Sequence, residues 1–248
     1  MLFKVLYKAE FRSLVEIILQ SNEVIAPKKI GTKVNGEPIH QFLPIGSFEE
    51  MDLDYRATEF SAKTYFLPFR DTLCTFDFAG GDWSQEVSYR IQPRAIIGLH
   101  AHDINALVKL DKVFTRDSYP SPYYISRRKN TFVVGLDHDP ADDEFSQSMG
   151  ADIVTHGFVL FLTDLGDRYF VSIASDRGFN LLNRVDARDV TDQDTHDYKE
   201  TRQRILDGFK TQINVRNLPN LLDLEFTSEV WKKWGEKCLS CGSCAMVC

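Results

Sequence analysis

Apolar residues recur at helical spacing over residues 9–20, where Phe11, Leu14, Val15 and Ile18 line one face and predict an amphipathic first helix. Glu23–Pro27 then reads as a short strand stopped by its proline. Residues 28–60 turn polar, with turn signals at Gly31, Asn35-Gly36 and Gly46. They predict a hairpin around Thr32–Val34 and Ile39–Leu43, followed by a loop. Thr64–Pro68 is aromatic and proline-stopped. Thr72–Phe78 alternates as a strand does, turned by Gly80-Gly81, which makes Cys74 a small core residue.

The middle of the chain is more sharply patterned. Arg94–Leu99 and Thr131–Leu136 are short, continuous apolar runs of the kind that form buried strands. Between them, His100–Asp103 reads as a loop. Ile104, Leu107, Val108, Leu110 and Val113 define a helix over 104–114, with Asp103 as its N-cap. Strand, helix, strand predicts a βαβ-like unit with a parallel pair. Phe158–Thr163 and Arg168–Ala174, joined at Leu165-Gly166-Asp167, predict a hairpin. A charged helix is expected over 192–210, and a proline-broken connector over Asn217–Leu224. Thr227 or Ser228 then caps a last helix through Trp234, ended by Gly235. The expected fold is α/β, with mixed α+β as the alternative. A central, partly parallel sheet flanked by helices fills 1–215. A linker, a helix and the beginning of a ferredoxin-type iron–sulfur domain occupy 216–248.

Composition narrows the classes. With 43% hydrophobic and 26% charged residues the chain is an ordinary globular one. Its net charge of −7 disfavours nucleic acid as a partner. No run of apolar residues is long enough to insert in a membrane, and residues 1–10 lack the pattern of a signal peptide, so a cytoplasmic location is expected. Dinucleotide, Walker and nucleophile-elbow motifs are absent from the sequence.

Four of the five cysteines, Cys238, Cys241, Cys244 and Cys248, form the spacing Cys-x2-Cys-x2-Cys-x3-Cys. In a reducing compartment such clustering indicates metal binding rather than disulfides. Thiolates at i, i+3 and i+6 in a tight turn can grip three corners of one cubane, and the fourth ligates the other cluster in two-cluster ferredoxins. Gly242 lets the backbone wrap close, so that its amides donate to cluster sulfurs. Zinc is the weaker alternative, because its sites pair two knuckles a dozen or more residues apart. The chain stops on Cys248, which raises the expectation of a truncated chain whose natural form carries a second cluster.

Arg94–Asp111 resembles the strand–loop–helix of the family that joins the iron–sulfur subunits of anaerobic sulfite reductases to the sulfhydrogenase beta subunits. Collinear matches extend the likeness over most of the chain. They are Val24–Pro27, the segment from Phe66 through Leu73, Tyr123–Arg128, Ser148–Gly150, Gly166–Tyr169 and Lys237–Cys244. The resemblance implies a non-catalytic 4Fe-4S electron-transfer subunit of a cytoplasmic oxidoreductase. Its partners would be a flavin- and NAD(P)-binding subunit and a catalytic subunit of hydrogenase, sulfhydrogenase or sulfite-reductase type.

The departures are instructive. The family usually has Arg-Pro-Cys-Asp or Arg-Ala-Cys-Asp after the strand, where this chain has His100-Ala101-His102-Asp103. It usually has Cys at the end of the next strand and then Cys-Phe-Cys, where this chain has His138 and then Glu144-Phe145-Ser146. Two readings stand. His102, His138 and Glu144 form a zinc or iron site, with Asp103, Asp137, Asp139 or His100 as helpers. Alternatively, the positions drifted to polar residues and the acidic loop is simply solvated. A metal-binding or regulatory module and a purely structural subunit remain the alternatives to electron transfer. Among lesser candidates, His40, His156 and His196 read as structural. Arg127-Arg128-Lys129 reads as a solvated run or an acidic-partner dock. Trp231 and Trp234 are expected to pack the last helix on the α/β domain or to shield a cluster.

Overall fold

The computed structural model describes the chain except residues 1, 79–81, 90–91, 117 and 248, together with the side chains of 246 and 247. A seven-stranded sheet forms the centre. Its strands are β1 (Leu2–Tyr7), β2 (Glu23–Thr32), β3 (Pro38–Ile45), β6 (Arg94–Leu99), β7 (Thr131–Leu136), β8 (Leu160–Asp164) and β9 (Arg168–Ile173). The order is β1-β9-β8-β7-β6-β2-β3. The four inner strands β8, β7, β6 and β2 run parallel, and antiparallel partners close each side. Two further strands, β4 (Cys74–Asp77) and β5 (Ser84–Val87), make a separate ribbon.

Helices cover both faces, as parallel strands require. On one face, α1 (Lys8–Leu19) and α4 (Asp176–Leu182) set Phe11, Leu14, Ile18 and Leu182 against Ala95, Ile97, Val134 and Val171. On the other, α2 (Ala101–Thr115) and α3 (Pro122–Asn130) set Ile104, Leu107 and Tyr124 against Ile96, Val133 and Phe161. The helix α5 (Asp192–Asp207) follows, then α6 (Leu218–Leu224), α7 (Glu229–Lys237) and α8 (Ser243–Val247). No helix among the described residues is long and apolar enough to cross a membrane.

The expected α/β class, the parallel pair over 94–136, the 158–174 hairpin and the first helix are all present. Several boundaries differ, each for a local reason. Pro27 does not stop its strand. Its carbonyl accepts from Asp52 N at 2.8 Å, so its nitrogen also faces away from β3, and no ladder bond is lost. The helix after β6 starts at Ala101, which turns the expected loop His100–Asp103 into a first turn and moves the N-cap position to His100. Pro219 occupies the start of α6, where its missing N–H costs nothing, so the segment expected as a connector is helical. Likewise α7 runs through Gly235 to Lys237. Cys74 lies in the exposed β4–β5 ribbon rather than in the core, and Gly80-Gly81 fall outside the described residues. Trp231 and Trp234 are 48% and 61% exposed instead of packed on the α/β domain.

The acidic α5 is anchored by a buried charge. Asp194, 1% exposed, accepts from Arg168 Nε at 2.8 Å and from Arg188 Nη1 and Nη2 at 2.6 and 2.8 Å. Thr191 N and Oγ1 complete its shell at 2.9 and 2.6 Å. Arg188 above all, with Thr191 and Arg168, overcomes burial and holds this carboxyl well below the usual carboxylate range. Asp194→Ala leaves two guanidinium groups short of a buried partner and is expected to lower stability by about 3 kcal/mol, read from the urea midpoint. A depressed carboxyl contributes stability above its unfolded value near pH 4, and that contribution falls away as pH drops toward the folded value. Asp194→Asn therefore flattens the acid limb of a stability–pH curve.

Candidate functional site

Two adjacent parallel strands deliver the site. β6 ends at Leu99 and β7 at Leu136, so His100 and His138 leave the sheet at the same carboxyl edge, where α/β sheets place ligands. The exit from β6 is shaped by Gly98, whose φ of +92° marks a bulge between Ile97 and Leu99. Without it, residues 97 and 99 would share a face. With it, Ile97 packs in the α1 core and Leu99 in the α2 core. Tyr55, from the loop before β4, donates its hydroxyl to the Gly98 carbonyl at 2.7 Å and holds the bulge.

The rings of Tyr55, His100 and His138 form a stack. Tyr55 and His100 lie 4.2 Å apart with planes at 14°, and His100 and His138 lie 3.7 Å apart with planes at 4°. His102, in the first turn of α2, stands edge-on to His138 with centroids at 5.3 Å and planes at 76°. Glu144 closes the group from the loop after Pro140. His138 Nε2 lies 2.9 Å from Glu144 Oε2. Ser146 Oγ donates to Oε1 at 2.6 Å and Ala141 N to Oε2 at 3.3 Å. His102 Nδ1 approaches Oε1 to 3.3 Å, an ion-pair distance without a hydrogen bond's geometry. Ligand atoms of His100, His102 and His138 all lie within 4.8 Å of one another.

Electrostatics sort these groups. Burial pulls His100 well below its ordinary value, aided by His138 and His102, and keeps it neutral. Burial also acts downward on His102, but Glu144 and Asp103 more than offset it. The third of the His102 side chain left exposed weakens the burial effect, which favours that upward direction. Burial raises the Glu144 carboxyl, yet His102, His138 and Ser146 outweigh it and keep the group ionised. Among the described residues, His100 Nε2 and His102 Nδ1 are buried nitrogens without hydrogen-bond partners.

The structure thus brings His102, His138 and Glu144 together and adds His100. It draws Asp137 and Asp139 away and leaves Asp103 at the edge of the group. Asp137 accepts from Arg202 and Thr163, each at 2.6 Å, and Asp139 pairs with Arg204 at 2.5 Å. Asp103 Oδ2 stays 3.9 Å from His102 Nε2. The sequence offered no signal for Tyr55 beyond one aromatic in a polar stretch. A cleft of 380 Å³ opens beside His100 and His102, and a second of 550 Å³ beside His138, with Tyr55 and Arg56 lining both.

Cys238, Cys241 and Cys244 are exposed, while Cys248 lies outside the described residues. Ser240 and Gly242 take φ of 54° and 75°, which curls the loop so that Ser240 N points at Cys238 Sγ at 3.4 Å. Cys241 Sγ lies 3.4 Å from Ser243 Oγ, and the Ser243 hydroxyl and amide pull that thiol below its ordinary value. Thiolate-favouring contacts, exposure and N–H···S donation fit an iron–sulfur cubane.

The lesser candidates are structural contacts. Arg127 is buried, bonds Phe66 O at 3.3 Å and pairs with Asp71, and Arg128 grips Asp111 at 3.0 Å, so these two arginines are not solvated, while Lys129 is exposed. His40 is buried against Asp52 at 2.9 Å. His156 contacts Thr155 and His196 pairs with Glu200.

Among curated proteins, the chain is 34% identical over 222 residues to Sulfhydrogenase 2 subunit beta of Pyrococcus furiosus. The match covers 84% of this chain and 62% of that protein, so the chain spans less than two thirds of its relative's length. No family model matches the chain.

Gly98→Ala is expected to strain the left-handed bulge and to push a new methyl to 2.9 Å from Leu53. A loss of about 2 kcal/mol follows, measurable by denaturant unfolding.

Proposed function

We propose, from its 34% identity to Sulfhydrogenase 2 subunit beta, that the chain is an iron–sulfur electron-transfer subunit of a multi-subunit oxidoreductase. In this reading it stands between a flavin- and NAD(P)-binding subunit and a catalytic subunit of hydrogenase, sulfhydrogenase or sulfite-reductase type. The observation that carries the proposal is the curled Cys238–Cys244 loop with its Ser240 N–H···S contact. When bound there, a 4Fe-4S cluster supplies one-electron transfer.

The remaining work belongs to the protein. Cys238, Cys241 and Cys244 hold three corners, and the positive φ of Ser240 and Gly242 turns backbone amides toward sulfur. Such donation stabilises the reduced, more negative state and raises its potential. Residues 1–215 would form the α/β domain that carries this loop, and 216–248 the linker, helix and start of the cluster domain. Docking to other subunits is supported by exposed apolar residues on the same tail: Leu224, Phe226, Trp231, Trp234 and Leu239. The cytoplasmic setting expected from the sequence is part of this proposal, since exposed thiols survive there unpaired.

Anaerobic reconstitution with iron and sulfide is expected to give about four irons per cluster and a broad visible absorbance bleached by dithionite. Cys241→Ser is expected to lower iron content and to shift or abolish the reducible signal. Wild-type protein that takes up no iron and sulfide overturns the proposal.

A further inference from the structure

We propose that His102, His138 and Glu144 form a second, independent site that binds one divalent transition-metal ion of the zinc and iron(II) class.

Three observations support it. Donors on a tetrahedral ion with bonds of about 2.0–2.1 Å stand roughly 3.3 Å apart. The Glu144 oxygens already stand 2.9 Å from His138 Nε2 and 3.3 Å from His102 Nδ1. His102 and His138 also offer ring nitrogens within 4.8 Å of one another, close enough for one ion to draw both in. The third fact is a polar one. A proton between His138 and Glu144 satisfies that pair but leaves His102 Nδ1 buried and without a hydrogen bond. An ion among the three satisfies all of them, and a buried polar group without a partner is costly.

The surroundings select the ligands. Asp137 and Asp139 are committed to arginines and are not donors. Ser146 Oγ and Ala141 N orient the carboxylate, as outer-shell donors do around metal sites. His100 cannot share the ion with His138, because parallel rings 3.7 Å apart keep their lone pairs in separate planes. It acts as a positioning residue, held between Tyr55 and His138. Two nitrogens and one oxygen suit borderline ions rather than calcium or magnesium. The 380 Å³ cleft beside His102 leaves a coordination position within reach of solvent.

The test uses the full chain with Cys74, Cys238, Cys241, Cys244 and Cys248 changed to Ser, so that thiolate binding plays no part and a failure of the electron-transfer proposal cannot be mistaken for failure here. Cobalt(II) is titrated anaerobically and then displaced with zinc(II). The expected result is one equivalent of cobalt, visible d–d bands without a thiolate charge-transfer band, and a zinc-dependent rise in the unfolding temperature. His102→Ala and Glu144→Gln are each expected to weaken binding by about 100-fold, and His100→Ala by about tenfold. His102 sits on the partly exposed first turn of α2, so His102→Ala decides the matter if a Glu144 variant fails to fold. Absence of stoichiometric binding, or binding indifferent to His102→Ala, overturns the proposal.

Discussion

The parallel pairing of β6 with β7 is the contact on which the rest of the molecule depends. Arg94 through Ile97 pair in register with Thr131 through Val134, Leu99 follows the bulge opposite Gly135, and both strands are buried on both faces. That burial requires helices above and below, which α1 with α4 and α2 with α3 provide. It also aims two chain exits at one edge of the sheet. His100 and His138, thirty-eight positions apart in the sequence, end up stacked because their strands are neighbours of equal direction.

A second layer of constraint comes from charge. Some arginines of this acidic chain are withdrawn from the surface. Arg127, Arg168 and Arg202 are drawn inward against Asp71, Asp194 and Asp137. These pairs hold loops and helices against the sheet, and by occupying Asp137 they remove one carboxylate from the histidine cluster. Glu144 is left as the group's own anion, positioned by Ser146 and the Ala141 amide. The tail that carries the cysteines is built differently, with exposed apolar side chains and few anchors.

Legibility from the sequence followed burial. The strands at 94–99 and 131–136 are apolar throughout, because both faces are covered, and such runs are hard to mistake. β1 escaped notice because it is an edge strand with Leu2 and Phe3 exposed, which leaves no clean alternation. α3 escaped because only Tyr124 and Arg127 of its nine residues are buried, and a buried arginine looks like a surface one in a sequence. The start of α2 is hard to see because Ala101, although buried three positions before Ile104, is too small to stand out as part of the apolar stripe, and His102 and Asp103 follow it; the turn forms where His100 leaves the sheet.

The sequence by itself determined the α/β class, the cysteine spacing and the residue types from which a nitrogen and oxygen site could be made, since periodicity and spacing are local properties of the chain. Only the tertiary structure decided which of those residues meet. The bulge at Gly98, tied down by Tyr55, flips the side of the sheet on which Leu99 packs and so sets where His100 points. That decision rests on one left-handed backbone angle and one hydrogen bond from a residue forty-three positions away, and no local pattern encodes a contact of that range.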